Sequence, residues 1–183
     1  MSWRLSTCRL SRRRSAGRIT RASRKHRDLT KINPALIGKA GELLVAAELM
    51  RRGVEVAHPA SDVGVDLLGY KLGTGQKTAG KFVPIQVKAY SKTGYRFLRS
   101  WFHRAPGLAL VQVWHLITTP QFYVFRDLDD VELAIGSHAQ TSSWIERGIW
   151  SSTDPSASDV KLVASHKDRW DRIISQIDPT YVA

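Results

Sequence analysis

One cysteine, Cys8, stands among 183 residues, so no internal disulfide can form, and no Cys/His group has zinc-ligand spacing. Disulfide scaffolds and zinc fingers are excluded together, and the scarcity of thiols points to a reducing compartment, expected to be a cytoplasm of prokaryotic type. Long apolar runs are also missing. The longest, residues 107–117, carries Gln112 and His115 and is far short of the roughly 20 residues that cross a bilayer. The expectation is therefore a protein without a membrane partner. No glycine-rich phosphate loop and no nucleophile elbow occur. The six histidines have no ligand spacing, and only His103 has a basic and aromatic setting that suits a functional role.

Acid is scarce at one end. Residues 1–31 hold eleven of the 28 bases and only one of the 16 acids, Asp28, for a net charge of +10. The remaining 152 residues hold 17 bases and 15 acids, a net of +2, so the pI near 10.3 describes an arm and not the whole chain. This arm is rich in Arg and Ser, Arg12, Arg13 and Arg14 among them. Its few apolar residues follow no period, so it cannot bury enough surface to offset the entropy of ordering, and it is expected to be disordered. Three readings of it stay open: a nucleic-acid-binding arm, an organellar transit peptide, or an over-extended start. Residues 32–183 have the composition of one domain, large enough for a conventional core.

Within that domain the hydrophobic periods fall into order. Apolar residues at helical spacing from Leu36 to Leu49, after Asn33-Pro34 and before Gly53, predict a helix. Residues 54–57, 63–72 and 82–89 read as strands, the last two joined as a hairpin through a turn at Gly73-Thr74-Gly75. On the 82–89 strand, Val83, Ile85 and Val87 share one face, and Gln86 and Lys88 the other. Residues 108–117 and 121–125 read as two further strands. Residues 128–147 read as a helix weakened by Gly136, residues 151–159 as a loop and residues 161–177 as an amphipathic end helix. Trp114, Trp144, Trp150 and Trp170 are assigned to packing.

One group of residues suggests chemistry: Gly41-Glu42 on the first helix, Gly64-Val65-Asp66 in the second strand, and Gln86-Val87-Lys88 in the third. An acid in an apolar strand is costly to bury without a partner or a metal. Gln86 and Lys88 share a face, so a hairpin to the Asp66 strand can bring carboxylate, amide oxygen and ammonium together. Carboxylate and carbonyl oxygens suit a hard cation such as Mg²⁺, and a lysine can orient an attacking water. Each residue also has a plainer reading when taken alone: Glu42 as a solvated helix acid, Asp66 as a cap or turn residue, Lys88 as a strand-edge charge, and Gly38 and Gly41 as aids to close helix packing.

At these positions, over about residues 38–91, the sequence resembles the PD-(D/E)XK nuclease superfamily, in its resolvase-like and intron-endonuclease-like branch with a Q-x-K motif. Residues 168–172 (Asp-Arg-Trp-Asp-Arg) extend the likeness more weakly. The resemblance implies an α/β fold with a restriction-endonuclease-like core of α-β-β-β-α-β type, in which helices flank a mixed central sheet. It also implies a Mg²⁺-dependent endonuclease acting on DNA, with Mn²⁺ as a substitute metal, RNA as a further substrate class and a homodimer as the expected assembly. Glu42, Asp66, Gln86 and Lys88 would be catalytic. Asp66, Gln86 and the Val87 carbonyl would hold the metal. Most members have Asp or Glu where this chain has Gln86, which lowers the site's negative charge. Asp62, after His58-Pro59, competes with Asp66 as the ligand. The alternative is a catalytically inactive nucleic-acid-binding module on the same fold.

Residues 92–104 interleave bases and aromatics. They read either as a loop that grips nucleic acid through Arg96, Arg99 and Arg104 with aromatic stacking, or as aromatics buried against the sheet.

Overall fold

The computed structural model describes residues 32–61, 64–72 and 81–181. The basic arm with Arg12, Arg13 and Arg14, the competing acid Asp62, and the turn expected over residues 73–80 lie outside the described residues.

Helix α1 (Pro34–Met50) starts where the Asn33 side chain accepts the Ala35 N–H at 2.9 Å, with Pro34 in its first turn. Gly53, at φ 78°, takes the conformation that glycine adopts most easily and turns the chain into β1 (Glu55–Ala57). Strand β2 (Leu67–Tyr70) pairs antiparallel with β1 and with β3 (Val83–Ala89). It is shorter than the 63–72 expected. The chain then leaves the sheet through β4 (Tyr95–Leu98) and α2 (Arg99–Arg104), and returns as β5 (Ala109–Trp114), parallel to β3. A parallel pair needs such a crossover. Strand β6 (Gln121–Phe125) closes an α/β core whose mixed sheet runs β1-β2-β3-β5-β6.

Alternation along the strands sorts the core into two layers. Ile85, Val87, Val111, Val113 and Val124 face α1 and α6 (Asp171–Ile177), which contribute Val45, Leu49, Ile173 and Ile177. Leu110, Trp114, Tyr123 and Phe125 face the other way, onto Phe97, Trp101, Trp144 and Trp150. All four tryptophans assigned to packing are buried. Helix α1 lies close to β3 because residue 41 is glycine: a Cβ there would overlap the Ala89 side chain.

Several expectations change. Of residues 92–104, expected as a loop, positions 95–104 form β4 and α2. Strand β4 pairs with β7 (Ile149–Ser152) as a separate two-stranded sheet that no apolar alternation had marked. The single helix expected over 128–147 is α3 (Leu128–Ile135), a 3-10 turn (Gly136–Gln140) and α4 (Ser142–Arg147), because Gly136 sits at φ 54°, ψ −123°. The end helix is likewise split into α5 (Ala157–Val163), a 3-10 turn (Ala164–His166) and α6. The break between them forms where Lys167 bridges to Tyr123 and the Asp168 N–H donates to the Phe122 carbonyl at 2.9 Å. No helix among the described residues is long and apolar enough to cross a membrane.

Candidate functional site

Asp66 stands one residue before β2, and its own N–H donates to the Ile85 carbonyl at 2.9 Å. This bond carries the β2–β3 pairing one residue past the strand and points the carboxylate at the middle of β3. Asp66 Oδ2 accepts the Val87 backbone N–H at 2.6 Å and also the side-chain amide of Gln86. Gln86 is only 2% exposed, and its Nε2 lies 3.4 Å from the Val87 carbonyl oxygen. Buried polar groups need such partners, since an unmet one costs about 1–3 kcal/mol.

Gly64 closes the cluster from the other side. At φ 86°, where a side chain is strained, a Cβ would lie 3.7 Å from Gln86 Oε1 and 3.9 Å from Trp101 Cδ1. Lys88, two residues beyond Gln86 and so on the same face, is half-buried, and its Nζ lies 5.0 Å from the centre of the Trp101 ring. The structure therefore brings Asp66, Gln86 and the Val87 backbone into one hydrogen-bonded group with Lys88 beside it. Glu42 is placed differently: α1 packs on the Val87 and Ala89 face, and the Glu42 carboxylate takes a hydrogen bond from Lys39 at 2.7 Å.

Among the described residues no group of three or more His, Cys, Asp or Glu side chains is placed to hold a metal ion. The oxygens at this site are of another kind: one carboxylate, one side-chain amide and one backbone carbonyl. Such donors suit a hard divalent cation in type but supply a single formal charge.

The 92–104 segment divides into two functions. Tyr95, Phe97 and Trp101 are buried, which removes them as a stacking surface for bases. Arg96, His103 and Arg104 are exposed. Arg99 is tied inward, pairing with Glu132 at 3.3 Å and lying 5.0 Å from the Trp144 ring, so it fastens α2 to the domain. Burial raises the Tyr90 hydroxyl above its ordinary range against the opposing charge of Arg96, and raises Tyr95 to about 12. Both keep their protons at neutral pH.

Two polar groups have partners that the sequence does not announce. Gln112, in register with Lys88 across the parallel pair, is buried and donates to the Arg96 carbonyl at 3.2 Å, holding β4 against the sheet. Asp130 receives the buried His166 at 3.3 Å, the Arg126 N–H at 2.9 Å and the Arg172 guanidinium. Burial would raise its carboxyl, but the hydrogen bonds from His166, Arg172 and Arg126, with the Arg172 charge, hold it well below the usual carboxylate range. Nothing in the sequence tied Arg172 and His166 to Asp130, some forty positions earlier.

Comparison of the chain with protein-family models, curated proteins and solved structures finds no match.

Proposed function

We propose that this chain is a divalent-metal-dependent endonuclease that hydrolyses phosphodiester bonds in DNA on a restriction-endonuclease-like core. The observation that carries the reading is the convergence of Asp66, Gln86 and the Val87 backbone, with Lys88 on the same strand face. Its support from the fold is the order α1, β1, β2, β3, β4, α2, β5, in which β4 lies outside the central sheet and β5 returns parallel to β3.

Asp66, the Gln86 amide oxygen and the Val87 carbonyl would hold Mg²⁺, with Mn²⁺ as substitute. When bound, the ion supplies charge stabilisation at the phosphate and a more acidic water. Lys88 presents an ammonium that orients the attacking water as its oxygen bonds to phosphorus and the P–O bond to the leaving sugar breaks. The water's proton passes to solvent and the leaving oxygen takes one up. Glu42, whose Oε2 accepts from Lys39, would assist from α1. Exposed Arg96 and Arg104, with the basic arm, provide sequence-independent and salt-sensitive affinity. RNA is the second substrate class, and a homodimer would pair two such sites for two antiparallel strands.

One observation favours the inactive binding module instead: the Gln86 amide already donates to the carboxylate oxygen that a cation would use. The deciding test incubates the full chain and its Lys88→Ala variant with labelled linear, nicked and four-way-junction DNA and Mg²⁺ or Mn²⁺. Metal-dependent cutting that the variant loses supports the nuclease. Binding without cutting by folded protein selects the module.

A further inference from the structure

We propose that Trp101 is the positioning residue for Lys88: its indole ring holds the ammonium over the Asp66–Gln86 cluster, and water activation depends on it. The proposal rests on the nuclease reading. It starts from a chemical mismatch. A lysine ends in a compact, strongly hydrated charge on a flexible four-carbon stem, which by itself fixes no direction. A group that must aim one water needs its own position fixed.

The contact that supplies this is the Trp101 ring, whose centre lies 5.0 Å from Lys88 Nζ, within the range where the negative face of an indole attracts a cation. Trp101 is 8% exposed, so the ring is held and partly shielded from water, which strengthens the attraction. The same ring borders the cluster itself, since a Cβ at position 64 would touch both Gln86 Oε1, at 3.7 Å, and Trp101 Cδ1, at 3.9 Å. Helix α2, which carries Trp101, is fastened at its first residue: the Arg99 N–H donates to the Gly148 carbonyl at 2.9 Å, and the Arg99 side chain is fixed by Glu132 and Trp144. Position is thus passed from the second core layer through α2 and Trp101 to the lysine. This gives α2 a purpose that exposed bases alone do not, and explains why an aromatic of this basic segment faces inward beside the site.

The test uses the full chain and two variants, Trp101→Phe, which keeps a weaker aromatic face, and Trp101→Leu, which keeps only bulk. Two readouts are taken: steady-state cleavage of duplex DNA with Mg²⁺, and the NMR shift of the Lys88 ε-methylene protons, identified by their loss in Lys88→Arg. In the wild type those protons should be displaced upfield by the ring and return to ordinary values in Trp101→Leu. In Trp101→Leu kcat should fall about tenfold with KM within about twofold, and Trp101→Phe should recover most of the loss. An unshifted methylene in the wild type, or unchanged kcat in Trp101→Leu, overturns the proposal while leaving the nuclease standing. Loss of kcat in both variants in step with lowered melting temperature also overturns it, marking Trp101 as packing only. A wild type that cuts no DNA with either metal removes the nuclease reading and this role with it.

Discussion

The Gln86 side-chain amide and the Val87 backbone N–H both donate to a single oxygen of Asp66, Oδ2, so one carboxylate clamps two successive residues of β3 from the strand beside it. It ties β3 to the start of β2, where Leu67 lies opposite Ile85. It also makes the identity of residue 86 the variable that sets the charge of the site.

Gln86→Glu should turn that relationship into repulsion. Two carboxylates would face each other, one of them at a position 2% exposed in the native chain, and without metal the variant should melt at a lower temperature than the wild type. Mg²⁺ or Mn²⁺ should restore it, because a second charge strengthens cation binding and binding to the folded state stabilises it. Thermal melts with EDTA and with each metal check this. A variant indifferent to metal would argue against a cation at this cluster.

The two glycines of α1 should respond in opposite senses. Gly38 has nothing within 4 Å of a Cβ, so Gly38→Ala should stabilise the domain by about 0.5–1 kcal/mol through helix propensity and a less flexible unfolded chain. Gly41→Ala overlaps Ala89 and should destabilise by about 1–3 kcal/mol despite the same propensity gain. Adding Ala89→Gly to Gly41→Ala should return part of the loss. Urea denaturation of the four proteins measures all three effects.

Acid should weaken the domain partly through Asp130. Its folded-state carboxyl titrates below its unfolded value, so the native state binds fewer protons. The stabilisation is complete above about pH 5 and is lost as pH falls through the unfolded and then the folded value. Between pH 5 and pH 3 the wild type should lose more stability than Asp130→Asn, which also starts about 3 kcal/mol lower because Arg172 and His166 lose the charge they face. Melting curves across that range would show the two lines converging. Parallel lines would remove Asp130 from the account.

Arginines of the basic segment should separate by role. Arg96→Ala and Arg104→Ala should weaken DNA binding and flatten its salt dependence by about one unit of slope each, with stability unchanged. Arg99→Ala should lower the melting temperature, since it removes the cation paired with Glu132, leaving that carboxylate only its bond from the Trp144 indole N–H, and uncovers the Trp144 ring. Binding titrations at several salt concentrations, paired with melts, distinguish the two classes.

The parts of the fold legible in the sequence were those set by local period. Helix α1 follows from its apolar spacing and the Asn33-Pro34 start, and the shared face of Gln86 and Lys88, opposite Ile85 and Val87, follows from strand alternation. The 128–147 and 161–177 segments misled because helical period survives a break. Gly136 and the Tyr123–Lys167 bridge interrupt the helices without disturbing the apolar spacing. Strand β7 carries one buried residue, Trp150, in four, and its pairing with β4 is a long-range choice that four residues cannot announce. At the site, the Asp66 to Gln86 approach was legible from the hairpin. The inward pairing of Arg99 was not, because Glu132 and Trp144 come from helices far along the chain. The Trp101 contact was invisible for a related reason: a cation above a ring depends on how α2 sits on the sheet, and composition shows only that bases and aromatics alternate.

We propose that Asp66 belongs to a metal-dependent hydrolytic site. The most direct measurement compares wild type with Asp66→Asn, which keeps an oxygen able to accept the Val87 N–H but removes the charge. Both are assayed for cleavage of end-labelled duplex and junction DNA in Mg²⁺, Mn²⁺ and EDTA, with melts to show that each is folded. A metal-dependent role for Asp66 requires cutting by the wild type in either metal and none in EDTA, with at least a hundredfold loss in a folded Asp66→Asn. Equal cutting by the two proteins, or none by a folded wild type in either metal, would contradict it.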